Sequence, residues 1–224
     1  MQRGSEMTKN LVEINGLSMG FNGNKIFSNV SLNVIAGQIV TIVGDSGVGK
    51  STMLRAIAGL SPFDGQILVD GHVVKSNGIN TSTGPVVLVT QQPNLWDHLT
   101  ALDNIALVRL LLHNEHQKVA RSKSLEILRE LEVHTIADRY PHSLSGGEQQ
   151  RVSLARGFAT EKPILLLDEV TSNIDHNRRS IVAKALLALA EKGRSILFVT
   201  HDLNTAKLVT DSPLELTSDG LNYR

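Results

Sequence analysis

One short run constrains this chain more than any other: Gly44-Asp45-Ser46-Gly47-Val48-Gly49-Lys50-Ser51-Thr52. Glycines this dense are costly inside a strand or helix, because glycine loses the most backbone freedom when it is ordered. The run is therefore a turn, and its flanks say what it joins. Gln38 to Val43 is β-branched and apolar, as in a buried strand. Lys50 to Leu60 repeats Met53, Ile57 and Leu60 at helical spacing. A turn between strand and helix that bends inward aims successive N–H groups and the positive helix end at one point, which makes an anion site. The spacing G-x-x-x-x-G-K-[ST] specifies the anion as the phosphates of a nucleotide. Lys50 then reaches the β- and γ-phosphates, and Ser51 holds Mg²⁺ through its hydroxyl.

Composition excludes several other classes. The 224 residues suffice for one large domain, or for a large and a small lobe. Apolar residues make up 41% and charged ones 20%, ordinary for a globular chain with a core. Twenty-two basic and 22 acidic residues cancel, so no global positive field argues for nucleic acid. With no cysteine there is no disulfide framework and no thiolate metal site. The longest apolar stretch, Ile105 to Leu112, is interrupted by Arg109 and falls far short of the roughly 20 residues that span a bilayer. Residues 1–10 read as a loose tail without the apolar core of a signal peptide, with Met7 an alternative start.

Around the glycine turn the pattern alternates between strands and helices. Leu11 to Leu17 and Ile26 to Val34 form an expected antiparallel hairpin across Asn22-Gly23-Asn24. Phe21 lies at that turn, where it either stacks on a purine base or caps the hairpin core. Gly65 to Val74 reads as two short strands about Asp70-Gly71. Val86 to Thr90 is a continuous apolar run, expected as a central parallel strand that ends at Gln91. From about 95 to 145 the character is helical. Thr100 with Asp103 forms a capping pair, and Leu125, Leu128 and Leu131 share one face. The stretch reads as a helical lobe inserted into the core, with Leu95 and Trp96 either core or a docking patch. His113 and His116 could share one helix side, but without a carboxylate they make a poor metal pair.

Two later segments carry chemistry. Leu144-Ser145-Gly146-Gly147-Glu148-Gln149 precedes a helix carrying Val152, Ala155 and Ala159, so it is either a plain cap or a second anion site. One nucleotide does not need two such sites, which suggests a partner chain for the second. Ile164 to Leu167 is apolar and ends in Asp168-Glu169, acids delivered to the crevice at the carboxyl edge of an α/β sheet. Alternating side chains would give the two acids different tasks. Asp168 supports the Mg²⁺ shell, and Glu169 orients or deprotonates the attacking water. Ser195 to Thr200 is a further buried strand and delivers His201 to the same edge. Asp202 then caps the helix that follows.

Phosphate loop, Gln91, helical lobe, Leu144 to Gln149, Asp168-Glu169, Ser172-Asn173-Ile174-Asp175 and His201 follow one another in a single chain. That order resembles the nucleotide-binding subunits of ATP-binding-cassette (ABC) transporters from about Leu11 onward. The resemblance implies an α/β P-loop NTPase fold with a RecA-like core, an antiparallel β subdomain and an inserted helical subdomain. It implies ATP and Mg²⁺ as cofactors and ATP hydrolysis as the reaction. It also implies that Phe21 stacks on adenine and that Gly44 to Thr52 and Ile164 to Asp168 are the Walker A and B segments. Gln91 then contacts Mg²⁺ and the attacking water and reports the state of the membrane partner. Leu144 to Gln149 closes over the γ-phosphate held by the opposite subunit, Glu169 is the general base, Asp175 a dimer contact and His201 the switch histidine. Two copies are expected to sandwich two ATP molecules on the inner face of the membrane, docked on a separate permease.

Val170 departs from the family's usual proline after the acids, which loosens the expected turn. Asp45 puts an anion in the phosphate loop and must point outward to avoid repelling phosphate. The segments Asn94 to Thr100 and Tyr140 to Ser143 look most like polar amino-acid importers, which would add a periplasmic solute-binding protein. Asn173-Ile174-Asp175 leans toward lipoprotein-release or macrolide-type export ATPases. A soluble ABC ATPase acting on ribosomes or DNA fits less well, since the chain has neither a second cassette nor a basic surplus.

Overall fold

The computed structural model describes residues 9–21, 24–75 and 84–224, and for Phe21 and Asn24 the backbone alone. Its centre is set by apolar strands buried on both faces. Six strands line up as β10 (Gly220–Tyr223), β9 (Leu214–Thr217), β3 (Ile39–Val43), β8 (Ser195–Val199), β7 (Ile164–Asp168) and β6 (Val86–Val89). All neighbouring pairs are parallel except β9 with β10. Successive side chains of a strand point to opposite faces, and the packing shows it. Leu165, Leu167, Ile196 and Phe198 enter one apolar cluster, while Ile164, Leu166, Leu197 and Val199 enter the other.

The first cluster is shared with the helices α2 (Ala101–His113), α3 (Gln117–Glu130), α4 (Gly146–Ala159) and α5 (His176–Glu191), so helical stretch and sheet face bury one contiguous core. The second lies under α1 (Lys50–Ile57) and an antiparallel sheet in the order β2 (Asn24–Ile35), β1 (Asn10–Phe21), β4 (Asp64–Val69), β5 (His72–Val73). Asp70 and Gly71 both take positive φ, 51° and 78°, as a tight two-residue hairpin turn requires. The short helix α6 (Leu203–Ala206) follows β8. Among the described residues no helix is long and apolar enough to cross a membrane.

Three expectations are corrected. Among the described residues the strand Val86–Val89 is an edge strand, with β7 its one neighbour. An apolar run reports burial on its faces and says nothing of neighbours along the sheet. Here the cover comes from α4, which approaches so closely that a Cβ at Gly157 would lie 2.6 Å from Val89 Cγ2. The helix after the glycine turn ends at Ile57, which leaves Leu60 exposed. His113 closes α2 and contacts the Ala159 carbonyl at 3.0 Å, whereas His116 caps α3, so the two are not on one helix.

Candidate functional site

Ligand sites of open α/β sheets gather at the carboxyl ends of the strands, and here four adjacent strands each deliver a residue there. The glycine run leaves β3, His201 leaves β8, the acid pair ends β7, and Gln91 follows β6. Register keeps the ends level, since Ile42 pairs with Val199 and Val199 with Asp168.

The glycine run becomes a loop clamped from behind. Gly49 has φ 103°, and a Cβ there would come within 2.6 Å of Ile26 Cγ2 and 2.8 Å of Phe27 Cδ1. No side chain fits between the loop and β2, so the backbone packs directly on apolar groups. Lys50 is buried at 5% exposure, and its Nζ donates to the carbonyls of Gly44 (2.7 Å) and Asp45 (2.9 Å). Asp45 itself lies exposed, as do its neighbours Ser46 and Gly47.

Ser51 Oγ donates to Asp168 Oδ1 at 2.7 Å. Hydroxyl and carboxylate are hard oxygen donors suited to Mg²⁺, and two of them are too few for an all-protein cage. That fits an ion whose remaining ligands are phosphate and water. Glu169 does not owe its direction to strand alternation, as the sequence suggests. Its φ is 51°, a left-handed conformation worth roughly 1–3 kcal/mol of strain in a non-glycine residue. This bend turns the carboxylate back to the loop, with Oε1 3.8 Å from Lys50 Nζ and Oε2 2.8 Å from His201 Nδ1. The turn beyond is tied by Ser172 N to the Glu169 carbonyl and by Ile174 N to the Thr171 carbonyl, both 3.1 Å. Val170, in the place of the family's proline, is fully buried beneath it. Packing and hydrogen bonds hold the turn that proline would have stiffened.

Other candidates lie apart from this group. Gln91 is exposed, and its Nε2 makes a long 3.5 Å contact to Ser172 Oγ, with none to Ser51 or Asp168. The Phe21 side chain lies outside the described residues. Ser145 caps α4 by accepting from Glu148 N (3.3 Å), while its own amide and hydroxyl donate to Glu148 Oε2 (2.8 Å each), a reciprocal box. Those two bonds from Ser145 hold the Glu148 carboxyl below its ordinary range. Gln149 Nε2 donates to the carbonyls of Pro141 and Leu144, and Leu144 is buried, so Gly146 and Gly147 are presented on a rigid first turn. Among the described residues no hydrogen bond or ion pair joins this turn to the phosphate loop. Asp175 caps α5, with Oδ1 accepting from Arg178 N at 3.1 Å.

Of three arginines that sequence reading passed over, two tie these parts together and the third is buried among them. Arg156 donates to the carbonyls of Asn94 and Pro93 and stacks on Trp96 at 4.8 Å, which bolts the segment after Gln91 to α4. Arg151 is 2% exposed, and among the described residues its Nε and Nη1 find no acceptor; desolvation lowers its pKa. Arg179 bridges the turn before Asp175 to Asp202. Nothing in a helical pattern marks which surface arginine will be covered. A groove of about 950 Å³ is lined by Leu60, Val73, Val87, Trp96, Val108 and Arg156, with Thr90 and Pro93 at its wall and no residue of the phosphate loop in it.

The ABC transporter family model matches residues 27–172. The glutamine transport ATP-binding protein GlnQ of Escherichia coli is 35% identical over 202 residues, 89% of this chain and 84% of its own length. The histidine/lysine/arginine/ornithine transport ATP-binding protein HisP of Salmonella typhimurium is 35% identical over 221 residues, 91% of this chain and 85% of its own. The sulfate/thiosulfate import ATP-binding protein CysA of Pseudomonas syringae pv. tomato is 38% identical over 205 residues; the match takes in 89% of this chain and 62% of that longer relative. The dimeric ATP-binding cassette MJ0796, in a post-hydrolysis state bound to ADP and Pi, matches with a TM-score of 0.82 at 30% identity, covering 94% of this chain and 96% of that one. A fold that gathers the phosphate loop, the acid pair and a histidine at one sheet edge, in a sequence this close to such proteins, places the chain in the ABC transporter family as an ATP-binding, ATP-hydrolysing subunit.

Proposed function

We propose that two copies of this chain clamp two ATP molecules between them and drive a separate membrane permease that takes up polar amino acids. The observation that carries this reading is the convergence of Lys50, Glu169 and His201 with the Ser51–Asp168 pair at one sheet edge, while the first turn of α4 presents its N–H groups elsewhere. One copy supplies a phosphate cradle and a base. The α4 turn of the other supplies the cover, because a helix N-terminus attracts the charge of a γ-phosphate. In this reading residues 1–10 are a tail, 11–224 the ATPase domain, and about 95–145 the inserted helical subdomain.

The residues divide the work by geometry. Ser51 and Asp168 would hold Mg²⁺, which would supply positive charge against the phosphates. Lys50 leaves the carbonyls of Gly44 and Asp45 for the phosphates, which frees Glu169 from its neighbouring cation. The Glu169 carboxylate accepts a proton from the attacking water. His201, held through Nδ1, keeps Nε2 for the γ-phosphate. Gln91 follows Thr90, which lines the groove beside Trp96, so a permease segment seated in that groove would be felt at Gln91. Phe21 stacks on adenine, and Asp175 meets the partner copy. The protein would then lie on the cytoplasmic face of the membrane, held there by the permease.

The relatives act on amino acids and on sulfate alike, and Asn173-Ile174-Asp175 favours a lipoprotein-release or macrolide-type exporter as a second reading. Purification from detergent-solubilised membranes, with identification of the associated polypeptides, separates them. A permease together with a periplasmic amino-acid receptor is the expected result. A lipoprotein-handling partner would establish the second reading instead.

A further inference from the structure

Among the described residues His201 makes one side-chain hydrogen bond, to Glu169, so its aim depends on the backbone that carries it. That backbone is held on both sides. Thr200 is 1% exposed and its amide donates to the Ile42 carbonyl, while the amide of Asp202 returns to Thr200 Oγ1 at 3.1 Å. The Asp202 carboxylate takes four donors. Oδ1 accepts from the amides of Asn204 (2.9 Å) and Thr205 (3.3 Å), and Oδ2 from Thr205 Oγ1 (2.8 Å) and Arg179 Nη1. Arg179 Nη1 also lies 3.1 Å from Thr205 Oγ1, and its Nε donates to the Ile174 carbonyl at 3.1 Å. The guanidinium is one rigid plane. One edge thus grips the turn immediately before Asp175, and the other grips the residue immediately after His201.

We propose that Arg179 is a positioning residue that ties the Ile174–Asp175 turn to the backbone carrying His201, so that displacement of Asp175 by a second copy re-aims the His201–Glu169 pair. This rests on the roles given above to His201, Glu169 and Asp175. The ammonium of lysine cannot hold both ends in this way, because it is a point donor on a flexible stem. Arg179 makes its hydrogen bonds to Ile174, Asp202 and Thr205 and none to the phosphate loop among the described residues, so its loss should act on the chemical step and leave ATP binding alone.

The test is a double-mutant cycle on steady-state ATP hydrolysis, with Arg179→Lys, Arg179→Ala, His201→Ala and each double variant measured at saturating ATP and across pH. Arg179→Lys should lower kcat about tenfold with KM for ATP within twofold, and each double should be no slower than His201→Ala alone. Melting temperature with and without ATP separates this from a folding defect, and Arg179→Lys keeps the charge should Arg179→Ala fold poorly. If His201→Ala is slow while Arg179→Lys turns over at the wild-type rate, or while the two losses multiply, the tie is overturned and the reading of the site stands. If kcat and KM worsen together with melting temperature, the role is structural and the proposal fails. If His201→Ala itself hydrolyses ATP at full rate, the reading of the site fails and the tie with it.

Discussion

The phosphate-loop edge and the first turn of α4 are both built from glycines at a helix start, yet they are wired in opposite ways. At the first, Lys50, Ser51, Asp168, Glu169 and His201 pair with one another across three strand ends, and Lys50, Asp168 and Glu169 are largely withdrawn from water. At the second, Ser145 and Glu148 satisfy each other within one turn, and Ser145 and Gly146 stay exposed. A site whose groups already hold each other needs only its ligand. A satisfied but exposed cap is a surface waiting to be pressed on something. In the proposed function, that difference separates a cradle that does chemistry from a lid that completes it.

Substitution can break that contrast at either end. The largest effect is expected at Glu169→Gln, which keeps shape but loses the proton acceptor. Turnover should fall by about 10²–10⁴-fold while ATP is still bound, and sizing with ATP should show an accumulated dimer. Wild-type turnover would remove Glu169 from the base role. Next comes Ser145→Arg on the lid. Hydrolysis should drop about 100-fold or more, as when a donor to the transition state is lost, yet a fluorescent ATP analogue should bind the monomer unchanged. Weaker binding to the monomer would mean that the α4 turn serves its own chain's nucleotide.

Gly147→Ala tests how tightly the lid is seated. A Cβ there would lie 2.9 Å from the Asn173 carbonyl oxygen, so the α4 turn and the 171–175 turn must part slightly. A several-fold loss of kcat is expected, since small misplacements at a reacting centre are costly, with the melting temperature little changed. The smallest effect on activity belongs to a contact in neither region. Arg109 is buried and donates to Glu115 through two nitrogens and to Glu161 through a third, joining the end of α2 to the turn after α4. Hydrogen bonds from Arg109 and then Lys123 hold the Glu115 carboxyl at about 2, against an ordinary 4.5. A depressed carboxyl stabilises fully above its ordinary range, and that share is lost as pH falls from about 4.5 toward 2. Urea midpoints of wild type and Glu115→Gln should therefore differ at pH 6 and draw together near pH 3, with ATP turnover at neutral pH unaffected.

Local chemistry was legible from the chain itself. The strand–loop–helix at Gly44 to Thr52, the Asp70-Gly71 turn, the Thr100 and Ser145 caps and the acids closing a strand each depend on residues within a few positions, and the structure places each of them so. Long-range partners could not be read in that way. Periodicity reports that Val86 to Val89 is apolar, but only the assembled sheet puts it at an edge under α4. Only tertiary contact bends Glu169 into a left-handed conformation, presses Gly147 onto Asn173, and covers Arg151 and Arg179. These features arise where segments far apart in sequence meet. Their energies depend on which neighbour arrives, a quantity that no single stretch of sequence carries.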